Sequence, residues 1–154
     1  MAGEWFGRWV ARKTREAGIV DPVFVAIPNR NALVTARDFR TAELARHAAN
    51  AFGDGAAAFY GLRFETYVSK EEKKRQNVAE LIPNLRLIAP AQPGTLVLVD
   101  DVYTQGFHLE AVCDLLPEER CPTHCFVAGR TVLEPQNDMG AEIVLEREFF
   151  RRIL

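Results

Sequence analysis

Residues 96–109 read LVLVDDVYTQGFHL, and this stretch decides the fold. Thr95–Val99 is a short, continuous apolar run of the kind buried on both faces of a parallel sheet. It delivers two carboxylates, Asp100 and Asp101, to its carboxyl end. A turn containing Thr104 and Gly106 follows, and Leu109, Val112, Cys113 and Leu116 then repeat with helical spacing. A strand, a turn and a helix in this order place free backbone N–H groups and the positive end of the helix dipole where an anion can sit. Glycine lets the main chain approach that anion closely. Adjacent carboxylates can accept hydrogen bonds from vicinal sugar hydroxyls and help hold a hydrated Mg²⁺.

Similar units lie on either side. Gly3–Ala17 predicts an amphipathic helix, with Trp5, Phe6, Trp9 and Val10 on its apolar face. Val23–Ile27 predicts a buried strand closed by Pro28. Thr41–Phe52 gathers Leu44, Ala45, Ala48, Ala49 and Phe52 on one face, a helix lying on a sheet, and Gly53 and Gly55 end it. A strand is expected near Phe59–Val68, interrupted by Gly61. Ser69–Glu72 has the capping-box pattern and opens a helix to about Leu81. Leu85–Ile88, Thr123–Ala128 and Glu142–Glu146 predict further strands, and Glu148–Leu154 a terminal helix. Apolar strands alternating with amphipathic helices indicate βαβ units, hence an α/β domain with a mostly parallel twisted sheet and flanking helices. In such sheets ligands bind beyond the carboxyl ends of the strands, which points to Pro28–Phe39 and Asp100–His108.

The bulk properties agree. A chain of 154 residues, 48% hydrophobic and 26% charged, suits one domain with one buried core. A net charge of −2 gives no global field for nucleic acid or acidic membrane. Three cysteines, Cys113, Cys121 and Cys125, do not make a disulfide framework and suit a reducing compartment. Charges at Glu4, Arg8, Arg12, Lys13, Arg15 and Glu16 break any secretory apolar segment, and no apolar run approaches the ~20 residues of a membrane span. The expected location is the cytoplasm.

The stretch 96–109 resembles the phosphoribosyl-pyrophosphate (PRPP) signature of type I phosphoribosyltransferases: four apolar residues, two acids, two mostly apolar residues and a Thr/Gly-containing phosphate loop. Arg37–Ala45, Glu71–Val78 and Phe126–Arg130 resemble stretches of the ComF subgroup, the competence-protein branch of that fold, in the same order. The likeness covers about Val23 to Arg130. Residues 3–17 and 131–154 then stand as additions to a single domain spanning 1–154. The resemblance implies that Asp100 and Asp101 contact the ribose hydroxyls and, mainly through water or PRPP, Mg²⁺. It implies that Tyr103, Thr104, Gln105, Gly106, Phe107 and His108 wrap the 5′-phosphate. Pro28, Asn29 and Arg30 would lie on the pyrophosphate side with Arg75, and Asn77 would orient that segment. The implied activity is transfer of a phosphoribosyl group to a nitrogen acceptor with release of pyrophosphate, a glycosyltransferase reaction of nucleotide metabolism. A homodimer is the ordinary expectation for such a protein. The loop departs from the usual Thr-Thr-Gly-small-Thr at Gln105, Phe107 and His108. Those changes favour the rival expectation: a catalytically inactive ribose-phosphate sensor or interaction protein of the ComF kind, linked to DNA uptake or processing.

Other readings of the same residues are weaker. A response-regulator receiver needs its acid pair near the N-terminus. A Walker B reading of LVLVD needs GxxxxGK[ST], which this sequence lacks. His124 with Cys121 and Cys125 offers fewer ligands than a zinc site needs, and core thiols are the simpler expectation. Trp5 and Trp9 are expected to pack a helix rather than cover a base. Arg37 and Arg40 flank the first loop and are expected to contact phosphate. Arg147–Arg152 with Phe149 and Phe150 is expected to be a packing and dimer element.

Overall fold

The computed structural model describes residues 2–29, 31–67, 78–103, 106–116, 118–120, 122, 124–130 and 141–144, with backbone only at 78, 103, 118, 130 and 141–144. Strand β1 (Pro22–Ala26) is buried along its whole length. The apolar run Val23-Phe-Val-Ala allows this because both faces of a parallel sheet are covered. Helix α1 (Ala2–Glu16) precedes β1, and α2 (Arg40–Phe52) follows it. Small residues on α2, Ala42, Ala45 and Ala48, lie fully buried and bring the helix close to the sheet. Helix α1 then packs on α2 through Gly3 and Gly7. A Cβ on Gly7 would come within 2.5 Å of the His47 carbonyl oxygen, so the close approach of the two helices excludes any side chain there.

The strand expected near Phe59–Val68 is instead two strands in different sheets. Strand β2 (Ala57–Phe59) joins β1 in parallel, and β3 (Leu62–Phe64) pairs antiparallel with β4 (Leu85–Leu87). Gly61 lies at the break, where a Cβ would meet the Phe59 ring at 2.5 Å. The helix expected over 69–81 is described as α3 (Val78–Leu81), and Ser69–Asn77 fall outside the described residues. Strand β5 (Thr95–Tyr103) runs further than its apolar stretch, through both acids. It is followed by α4 (Phe107–Leu115), β6 (His124–Arg130) and β7 (Ala141–Val144). The helix expected at Glu148–Leu154, and the packing expected of Arg147–Arg152, lie outside the described residues.

The main sheet has the order β2-β1-β5-β6-β7, parallel through the first four strands and antiparallel at β7. Two apolar layers cover it. One, with Phe24, Val97, Val99 and Phe126, lies beneath α1 and α2. The other, with Val25, Leu98, Leu109, Val112 and Cys125, lies beneath α4 and the β3–β4 ribbon. Trp9 packs edge-on against Phe126 at 5.6 Å, so this ring belongs to the core of the α1 side. No helix among the described residues is long and apolar enough to cross a membrane.

Candidate functional site

Strands β1 and β5 are neighbours in the sheet and run in the same direction, with Ala26 opposite Val99. The helices that follow them go to opposite faces: α2 contributes to the layer with Phe24, and α4 to the layer with Leu98. The chain therefore turns to opposite faces of the sheet after these adjacent strands. This is the topological switch point at which open α/β sheets bind ligands. The Ile27 amide donates to the Val99 carbonyl at 2.9 Å, which carries the pairing one step further. Buried Pro28 and half-buried Asn29 thus stand beside the start of the acid pair. Asn29 fixes its own loop, its Oδ1 accepting from the Asn31 amide at 3.0 Å and its carbonyl from the Ala32 amide at 2.8 Å.

Alternation along β5 governs the acids. Leu96 and Leu98 face the α4 layer, and Val97 and Val99 face the α2 layer. With period two, Asp100 leaves toward α4 and Asp101 toward α2. Their neighbours agree. The charge of Asp100 acts on buried Cys125, whose thiol is pushed well above its ordinary value by burial first and by that carboxylate second. Asp101 lies 3.5 Å from the Arg40 guanidinium at the start of α2. Each carboxylate also accepts from the next backbone amide, Asp100 from Asp101 and Asp101 from Val102, both at 2.8 Å. The two acids are consequently not a same-face pair. A ligand touching both must straddle the end of β5.

Helix α4 begins at Gly106, its N-cap, with φ +82° and ψ −7°. This left-handed conformation favours glycine, because a Cβ there crowds the backbone. Among the described residues no side chain caps the helix, and the first N–H groups of a helix have no partner in its own ladder. His108, half-buried, sets its ring 5.7 Å from that of Phe64 on the β3–β4 ribbon. Phe107 packs against the α4-side core. Had it pointed outward it would have offered a stacking surface; the apolar layer beneath α4 takes the ring instead. Thr104, Gln105, Arg30, Arg75 and Asn77, and the side chain of Tyr103, lie outside the described residues.

Helix α2 starts at the same edge of the sheet. Its N-cap, Phe39, is extended and provides no side-chain cap. The buried Thr41 hydroxyl donates to the Ile27 carbonyl at 2.6 Å and ties the helix to the end of β1. Arg40 is well exposed and Arg37 is exposed. Arg63, unmarked by any motif in the sequence, is only 4% exposed and stacks on the Phe39 ring at 4.2 Å. Its signal was a lone cation between Leu62 and Phe64, two residues that enter the core. Glu110, one turn into α4, was also passed over. Burial, and then Asp114, push its carboxyl above the ordinary value.

No known protein-family profile matches the chain, and no curated protein sequence matches it.

Proposed function

We propose that the chain is a phosphoribosyltransferase-like protein of the type I fold, binding PRPP or a ribonucleotide across the carboxyl ends of β1 and β5. One observation carries the reading: α4 opens at left-handed Gly106, with no side-chain cap among the described residues, after a strand that carries two carboxylates near its end and lies beside the strand where the chain reverses its winding. The amides at the start of α4 would bind the 5′-phosphate, helped by the helix dipole. Asp100 and Asp101 would accept hydrogen bonds from the ribose hydroxyls, the sugar lying over the end of β5. Pro28 and Asn29 would border the pyrophosphate, with Arg30 and Arg75 as its expected cations.

The donor chemistry of the acid pair suits Mg²⁺, which prefers oxygen ligands and retains several waters. Asp100 and Asp101 leave on opposite faces, so they would hold the hydrated ion through water or through PRPP. When bound, the ion would neutralise charge on the departing pyrophosphate. The protein's share of the reaction is positioning and charge stabilisation. It holds the anomeric carbon open to a nitrogen nucleophile while a pyrophosphate leaves through an oxocarbenium-like state.

A second reading, a ribose-phosphate sensor without turnover, is favoured by Phe107. Its ring is committed to the core, which leaves position 107 without the small residue usual in that loop. Pyrophosphate release across a panel of nucleobases and amines separates the two. Release with any acceptor supports the enzyme, whereas PRPP binding without release supports the sensor. In either case Asp100→Asn with Asp101→Asn is expected to weaken PRPP binding by at least about a hundredfold, because hydrogen bonds to charged groups contribute roughly 1.5–3 kcal/mol each. The fold should survive, since both acids are only partly buried. Unchanged affinity in that variant removes the site assignment.

A further inference from the structure

One face of β6 is sealed and the other is not. On the α4 side Cys125 and Val127 are both 0% exposed. Alternation puts His124 and Phe126 on the opposite side, toward α1. Phe126 is buried there, whereas His124 is only half-buried. Two further rings continue this surface outward. His124 stacks on Phe126 at 6.2 Å, Trp9 meets Phe126 edge-on at 5.6 Å, and Trp5 lies nearly parallel to Trp9 at 6.4 Å. Cover falls with each step away from Phe126: Trp9 is half-buried and Trp5 is 42% exposed. A single exposed ring is ordinary on a protein surface. A row of rings continuous with the core is an apolar surface that another segment can cover.

The path of the chain says which segment. Strand β7 runs antiparallel to β6, and its last residue, Val144, pairs with His124. The chain therefore leaves the sheet one strand spacing, about 4.8 Å, from the beginning of the row. Ten residues follow, 145–154, outside the described residues. In their sequence Leu145, Phe149 and Ile153 recur at i, i+4 and i+8, flanked by Phe150 and Leu154, with Arg147, Glu148, Arg151 and Arg152 opposite. A segment this short gains little as an isolated helix, so its apolar side needs a surface close to where it starts. Its helical length, roughly 15 Å, is comparable to the three ring-to-ring steps of the row. The α4 side of β6 is already filled, which leaves the α1 side.

We propose that residues 145–154 of the same chain lie across His124, Trp9 and Trp5, with Leu145, Phe149 and Ile153 against the rings. The segment thereby clasps α1 to the outer edge of the sheet. This contact stands at the amino end of the parallel strands, away from Asp100 and Asp101, and does not rest on the sugar-phosphate reading.

The chain has two tryptophans, Trp5 and Trp9, so its indole emission reports this surface alone. Phe149→Ser with Ile153→Ser should shift that emission to the red and increase its quenching by acrylamide. Arg147→Ser with Arg151→Ser, on the opposite side of the segment, should leave both as in the native chain. Native-like emission and quenching in Phe149→Ser with Ile153→Ser overturns the proposal. Quenching of the native chain that rises on dilution also overturns it, because the cover then comes from a second copy. The native chain gives another reading that does not require the double variant to fold. Nuclear Overhauser contacts are expected from the Trp5 indole N–H, assigned by its loss in Trp5→Phe, to the ring protons of Phe149. Their absence, or their appearance only between differently labelled chains, contradicts a tail folded back on its own α1.

Discussion

Helices α2 and α4 begin at the same edge of the sheet, after adjacent parallel strands, and among the described residues neither has a side-chain cap. Their surroundings differ in charge. Beside α4 the strand delivers Asp100 and Asp101, so amide donors and carboxylate acceptors stand together. Beside α2 the charges are of both signs: Asp38 pairs with Arg46, Arg40 reaches Asp101, Glu43 lies in the first turn, and buried Arg63 stacks on Phe39. One sheet edge thus carries two chemically different helix starts.

The comparison can be broken at either end. Thr41→Val should have the largest effect on stability. It strips the hydrogen bond that fixes α2 to β1 and leaves the Ile27 carbonyl buried without its donor, a loss of about 1–3 kcal/mol. Chemical denaturation measures it, and the α4 amides should keep their response to ligand. Gly106→Ala addresses the opposite end. Forcing a Cβ into the left-handed N-cap should cost about 1–2 kcal/mol and weaken PRPP binding. Unchanged PRPP affinity would remove the α4 amides from the site.

Two smaller effects sharpen the contrast. The Arg46 guanidinium, donating to Asp38, holds that carboxyl below its ordinary value. The folded value lies below the unfolded one, so the contribution is fully present above about pH 4, the ordinary aspartate range. It is lost as pH falls through the lower folded value. Arg46→Gln should flatten that acid limb in thermal unfolding measured against pH. Arg40→Gln should change stability by less than about 1 kcal/mol, since its pair with Asp101 is exposed on the arginine side and screened by salt.

Much of this was readable from the chain. The apolar runs at Val23–Ile27 and Thr95–Val99, separated by helical stripes, announced a parallel sheet because only doubly covered strands are apolar on successive residues. The glycine at 106 and the acids before it located the turn. Three features escaped for physical reasons. Strand β5 continues to Tyr103 because hydrogen bonding to β6 overrides the polar character of Asp100 and Asp101. The region around Gly61 splits into two strands because the glycine brings the backbone against the Phe59 ring, a tertiary contact with no local pattern. Arg63 carries no local mark of burial, since period two predicts a polar outer face for a cation between Leu62 and Phe64. Only the loop carrying Phe39, folded back over β3, makes that face an interior.

The most direct measurement is a calorimetric titration of the whole chain with PRPP in the presence of Mg²⁺. Saturable heat at one equivalent, accompanied by protection of the amides at 107–109, is the expected result. An isotherm indistinguishable from ligand dilution, or saturation that leaves those amides untouched, would contradict a sugar phosphate seated where β5 gives way to α4.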